Sequence, residues 1–241
     1  MIHAAKNLRI YHKKKHVHIA LGTILIPLVF LVGMITLGGI AGTDLLFSVG
    51  ITLYRLIISY TISIILGVGI AIFLSYENAA ESFIPVLDIL QNVPSFALIP
   101  IFVLTLGYTN TMAIAFATTS IVWPILFYVL SALRTAKTDL NEAAEIFGAR
   151  GSKKIFNYLI PLSFPAIVTG SIVGLSIGWE AVIGIEIIGL SNGIGSFLNA
   201  AGTSGDKTTL SLGVAAILLV VFVINRLVWV PLIKRTRYYA E

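Results

Sequence analysis

The sequence predicts an all-α integral membrane protein with six transmembrane helices, and three observations carry that prediction. Of 241 residues, 57% are hydrophobic and 11% charged, whereas roughly a quarter of residues are charged in an ordinary soluble domain. Long runs without an ionisable side chain recur, and about 20 apolar residues suffice to cross the hydrocarbon of a bilayer. The basic residues gather at the N-terminus, around a polar stretch in mid-chain and at the C-terminus. That distribution suits membrane surfaces and excludes a nucleic-acid partner, which would want a continuous basic face on a polar domain. There is no cysteine, so disulfide and thiolate chemistry are excluded.

Residues 1–18 form a basic segment with Lys6, Arg9, Lys13, Lys14, Lys15 and four histidines, followed by residues 19–43 with no ionisable group. This predicts a first span behind a basic anchor, too long and without a convincing small-residue cleavage site for a removed signal peptide. His16 and His18 lie two apart, off a common helical face and without acidic or thiol companions, so no metal site is expected. The second span, residues 47–75, is interrupted only by Arg55. That arginine either snorkels from the outer end or pairs inside the bundle, and the general cost of buried charge favours snorkelling.

Residues 89–133 hold no Asp, Glu, Lys, Arg or His over 45 positions, enough for spans three and four, with Gly107-Tyr108-Thr109-Asn110 as the turn between them. Pro85, Pro94 and Pro100 make span three irregular, and Asp88, Gln91 and Asn92 give it polar positions at near-helical spacing. Freed carbonyls are tolerated where protein or a water-filled cavity receives them, so these three are candidate pathway residues, with helix packing as the equal alternative. The fifth span is predicted to begin after Pro161 and Pro165. Its Gly170, Gly174 and Gly178 recur every four residues and permit close approach of another helix. Beyond them lie Trp179, Glu180 and Glu186; embedded acids are expensive and should face the interior or water. Thr208 to Asn225 forms the sixth span, extending to about Val230, before Lys234, Arg235 and Arg237.

The polar stretch at residues 139–161 reads as two short helices broken by glycine. Asp139 and Glu142 have the spacing of a reciprocal N-terminal cap. Ala143, Ile146 and Phe147 share one side, and Gly148 ends the helix, a place that favours positive φ. Ser152 suits the cap of the second helix, whose first turn holds Lys153 and Lys154 against the helix dipole, which suggests a partner or lipid headgroups for them.

Glu142-Ala143-Ala144, three residues, Gly148, nine residues and then Tyr158-Leu159-Ile160-Pro161 resemble the EAA loop of permease subunits of binding-protein-dependent ATP-binding-cassette (ABC) importers. Tyr158 and Ile160 replace the usual Ile and Leu. Trp179 followed seven residues later by Glu186, and then by Ser191-Asn192-Gly193-Ile194-Gly195, is similar to the nitrate, sulfonate and taurine branch of that family. Glu180 and Ile185 depart from it, standing where a neutral residue and Ala are usual. The resemblance implies the type I permease fold over residues 45–235, with one extra N-terminal helix and cytoplasmic coupling helices that dock on an ATPase. It assigns coupling to Glu142, Ala143, Ala144, Gly148, Lys153, Lys154 and Pro161, and leaves Trp179, Glu180 and Glu186 as candidate pathway residues. It implies as partners an ABC ATPase dimer, a second permease subunit (the same or a different chain), an extracytoplasmic solute-binding protein and membrane lipid. No cofactor is expected on this chain, since no nucleotide-binding Gly-x4-Gly-Lys-Ser/Thr is present; ATP and Mg would sit on the ATPase. The substrate class it suggests is a small anion, such as a sulfonate, a nitrate-like ion or a related organic acid.

Six spans put both termini and residues 134–161 on one side, and the positive-inside rule makes that side cytoplasmic in a cell (inner) membrane. The rival reading is a secondary transporter or channel using Glu180 and Glu186, but no inverted repeat is evident. An enzyme is disfavoured because all four histidines lie in the first 18 residues, away from the embedded acids. A structural scaffold would leave those costly acids without a purpose.

Overall fold

The computed structural model describes residues 42–136, 140, 144 and 146–236, with isolated positions 29, 32, 33 and 36. The basic segment 1–18, most of the predicted first span 19–43, and Asp139, Glu142, Ala143 and Glu145 lie outside the described residues. Among those described, four helices are long and apolar enough to cross a membrane: α1 (Gly42–Tyr76), α4 (Asn110–Arg134), α5 (Ser152–Ile188) and α7 (Lys207–Thr236). A fifth crossing is broken: α2 (Ala80–Gln91) and the segment holding a 3-10 turn (Ser95–Leu98) and α3 (Ile99–Leu106) meet at a 74° bend. A short helix, α6 (Ile194–Ser204), lies between α5 and α7.

The centre of the fold is α4, which packs against α1 on one side and α5 on the other and buries Phe116, Ile121, Ile125 and Val129 completely. Lipid supplies no hydrophobic drive between helices, so such contacts depend on close backbone approach and interhelical hydrogen bonds. On α1 the face toward α4 is a four-residue repeat of small side chains, Ser59, Ser63, Gly67 and Ala71. The Ser59 and Ser63 hydroxyls reach Ile114 O (3.1 Å) and Thr118 O (3.2 Å) of α4, besides their own preceding turns. On α5 the corresponding face is Gly170, Gly174 and Gly178. A methyl added at Gly170 would come to 3.0 Å from Ile125 Cα, and one at Gly178 to 2.6 Å from Ile121 Cδ1. The turn Gly107 to Thr109 ends with Thr109 accepting the Met112 amide at 3.2 Å, the cap that starts α4. Asp206 starts α7 in the same way. Its carboxyl is held below the usual range by hydrogen bonds from the Thr209 hydroxyl and amide and then the Thr208 amide.

Three sequence expectations are corrected. The third span is two helices rather than one bent helix. Proline disfavours the helical region for the residue before it, and the chain leaves the helix at Val93-Pro94, where Pro94 itself is extended (ψ 116°), whereas Pro85 is absorbed within α2. The fifth span begins at Ser152, well before Pro161, and Gly151 (φ 56°) rather than Ser152 occupies its cap. Its first turns run into a wider π turn at Ile155–Leu159, two residues ahead of Pro161. A second π turn at Asn225–Trp229 stands two residues ahead of Pro231 and carries α7 on to Thr236, beyond the predicted end near Val230. In both places the wider turn accommodates a ring that cannot donate an amide hydrogen and would press on the carbonyl four residues back.

Candidate functional site

The polar interior of the bundle is built around Arg55 and Glu186. In an apolar segment a buried charge is costly, and a buried cation of α1 meets a buried acid of α5: Arg55 Nη1 donates to Glu186 Oε1 at 2.6 Å, each residue only 1% exposed. Snorkelling is thereby ruled out for Arg55. Every N–H of the guanidinium has an acceptor. Nη1 also donates to Asn192 O (2.9 Å), Nε to Asn110 Oδ1 (2.9 Å), and Nη2 to Asn110 Oδ1 (2.7 Å) and Asn192 Oδ1. Five donors in a fixed fork are all used, so the arginine has none left for a passing anion.

The carboxylate is equally well served. Thr52 Oγ1 lies 2.8 Å from both Glu186 oxygens and gives its one proton to the pair, while accepting the Ile194 amide at 2.9 Å. The Gly195 amide donates to Glu186 Oε2 at 2.9 Å. Glu186 therefore closes the N-terminus of α6, where free amides and the helix dipole favour an anion. Gly193 has φ 106°, and a methyl there would stand 2.3 Å from the Glu186 carboxyl carbon. Gly193→Ala is expected to cost about 1–3 kcal/mol, the usual range for a residue forced into a disfavoured backbone region. A lowered unfolding temperature in detergent, against wild type, checks it.

Trp179 and Glu186 lie seven residues apart on the unbroken α5, and Trp179 is half-buried against the core shared with α1 and α4. Glu180 faces elsewhere. Six residues of helix turn the chain by about 240°, so the two acids cannot share a face, and Glu180 is exposed on the single chain whereas Glu186 is buried. Gly184, one turn beyond Glu180, lies against Phe96 of the broken crossing, 3.0 Å from where its methyl would be. At the break, Gln91 Nε2 donates to Asp88 Oδ1 and Asn92 Nδ2 to Asp88 O, both at 2.7 Å, and Asp88 and Asn92 are exposed.

Between α4 and α5, the helix through Ala144 ends at Gly148 (φ 77°), with the Ala149 amide bonded to Ala144 O at 2.9 Å. That six-to-one closure is the expected glycine ending. Ile146 and Phe147 are 83% and 89% exposed beside a cleft of about 530 Å³ lined by Leu140, Ala144, Gly148, Lys153 and Tyr158. Lys153 and Lys154 occupy the first turn of α5, and Pro161 lies inside that helix. Among the described residues no three His, Cys, Asp or Glu gather to hold a metal.

Sequence reasoning missed α6 and the roles of Thr52, Asn110 and Asn192. The available signal was that Arg55 is a cation inside one apolar span while Glu180 and Glu186 are acids inside another, so that an ion pair between the two spans was open to the sequence.

A multi-helix bundle with one broken crossing, charges neutralised in its interior and a projecting apolar knuckle at one end defines a polytopic membrane protein of the transport class. The chain belongs to the family of binding-protein-dependent transport system inner membrane components, whose family model matches residues 63–229. It is similar to the taurine transport system permease protein TauC of Escherichia coli K12, at 22% identity over 72% of this chain and 64% of that protein. The nitrate import permease protein NrtB of Synechococcus elongatus is 27% identical over 75% of this chain and 66% of its own length. The putative aliphatic sulfonates transport permease protein SsuC of Bacillus subtilis is 25% identical over 60% of this chain and 53% of its own. The chain thus spans less than two thirds of the length of each of these three relatives, and they fall in the nitrate, sulfonate and taurine branch.

Proposed function

We propose that this chain is the membrane-spanning permease subunit of an ATP-driven ABC importer, forming the translocation pathway for a small solute. Membership of the family over residues 63–229, a stretch that contains Gly148 and the segment around it, carries the reading. Two permease subunits would sit over two ATPase subunits, which hold ATP and Mg, and an extracytoplasmic binding protein would deliver the solute. Both termini and residues 134–161 are cytoplasmic in this reading, since Lys and Arg concentrate there. The exposed Ile146 and Phe147 give an ATPase an apolar knob to grip, within the stretch that holds Glu142, Ala143, Ala144 and Gly148. Movement there would be passed to the helices, switching the cavity between inward and outward opening through states that bind ATP differently. The solute is a small anion of the sulfonate or nitrate kind, as the relatives' names suggest.

Asp88, Gln91, Asn92 and Glu180 are the pathway candidates that remain open to a solute, with Trp179 behind them; Glu186 is engaged by Arg55, Thr52 and Gly195. That engagement weakens the secondary-transporter alternative, which would need Glu186 free to take and release an ion. Purification of the tagged chain from membranes is expected to bring down an ATPase, and uptake of labelled taurine or nitrate to stop when ATP is withheld. Uptake without any ATPase would end the proposal. Within it, Glu180→Gln is expected to change the uptake rate while ATPase association stays intact; an unchanged rate removes Glu180 from the pathway.

A further inference from the structure

We infer that the Arg55–Glu186 cluster is a permanent latch, making α1, α4, α5 and the start of α6 one body, and that the broken crossing α2–α3 moves against it during transport. This rests on the importer reading and adds which part of the chain moves.

The latch ties four elements at a single point. Arg55 and Thr52 come from α1, Asn110 from the first residue of α4, and Glu186 from α5. Asn192 and the Ile194 and Gly195 amides come from the entry to α6. Opening it would expose five guanidinium donors and a carboxylate to an apolar surround at once, and breaking a buried pair without replacement is strongly unfavourable. Below the latch the same helices are held by the small-residue seams, where Gly67 and Gly174 leave about 3.1 Å between an added methyl and Ile125 or Ile121. A body with that little slack behaves as one piece.

The broken crossing is attached in the opposite manner. Neither α3 nor the 3-10 turn has a buried residue, and α2 has only Ala80. Ala80 aside, it meets the core through half-buried side chains: Phe96 and Phe102 lie against Phe116 at 5.5 and 6.0 Å between ring centres, and Ile84, Leu87, Ile99 and Val103 rest on the buried clusters. It is flanked by two residues with positive φ, Asn78 (54°) and Gly107 (64°), and bent by 74° between. Few buried contacts, a break in the middle and unusual backbone at each end are what a moving segment requires.

This chain has no cysteine, so with a cysteine-free ATPase paired spin labels report only on the positions chosen. In the purified complex with its ATPase, Leu46→Cys with Asn199→Cys reads within the latched body, and Leu104→Cys with Asn199→Cys reads across to α3; all three sites are exposed. Between nucleotide-free and ATP-trapped complexes, the first distance distribution is expected to stay in place and the second to shift. Adding Glu186→Leu should broaden the first distribution, and adding Arg55→Leu as well should narrow it again. A shift within the body, a fixed distance across it, or no recovery in the double variant overturns the inference. ATP hydrolysis by the same complex separates the two levels: if it is absent the importer reading itself fails, and if it is present the distances decide the latch.

Discussion

Replacing Arg55 by leucine is expected to destabilise the protein by about 3–5 kcal/mol, the cost of leaving a buried carboxylate without its partner. The size follows from what remains. Glu186 would keep Thr52 and the Gly195 amide but lose the cation that pairs with it, at a site 1% exposed to solvent. Asn110 and Asn192 would lose their donors in the same step. Glu186→Leu should cost a similar amount, with the guanidinium stranded instead. The double replacement by leucine is expected to be far milder than the sum, since an apolar pair of similar volume removes both desolvation penalties. Unfolding followed in detergent for the four proteins checks it as a double-mutant cycle. Additive losses would mean that the two side chains do not interact in the folded chain, and the polar interior would need another account.

The same pair shows where sequence reading reached and where it stopped. The spans that fall among the described residues were legible because lipid imposes a minimum apolar length, and the turn at Gly107 to Asn110 marks a change in hydropathy that any alignment with a bilayer requires. The glycine face of α5 was legible because its period is helical. Arg55 was misjudged since a charge can reach water from a helix end or find a partner across the bundle, and local sequence does not say which. Only the fold, which brings residue 55 beside residue 186, decides it. The helix α6 went unseen because Ser191 to Gly195 looks like a turn, and the residues from there to the sixth span at Thr208 are too few for a span. What makes it a helix is tertiary: Glu186, nine residues ahead of Gly195, closes its first turn. The π turns before Pro161 and Pro231 were hidden for a similar reason, since proline forbids a regular turn but does not reveal whether the chain breaks, as at Pro94, or widens.

Gly148→Pro is expected to leave the protein folded and in the membrane while uncoupling ATP hydrolysis from uptake. Gly148 is exposed, has φ 77° and would place an added methyl in open space, so nothing in the helical body depends on its side. Its backbone is another matter. Proline holds φ near −65°, which forbids the left-handed ending and the closure between the Ala149 amide and Ala144 O. The helix end would then release Ile146 and Phe147 from the direction in which they project, and a gripping partner would lose its hold. Gly148→Ala should be milder, because a left-handed alanine costs only about 1–2 kcal/mol and keeps its amide. Glu142→Lys reverses charge at the matching position of the motif and should uncouple in the same sense. The measurement is the ratio of uptake to ATP hydrolysis in reconstituted vesicles, with unfolding temperature as control. A fall in the ratio with stability unchanged assigns this segment to coupling, since a packing defect would lower both. Normal transport by Gly148→Pro would instead mean that force enters the permease elsewhere, and that the exposed Ile146 and Phe147 serve another contact.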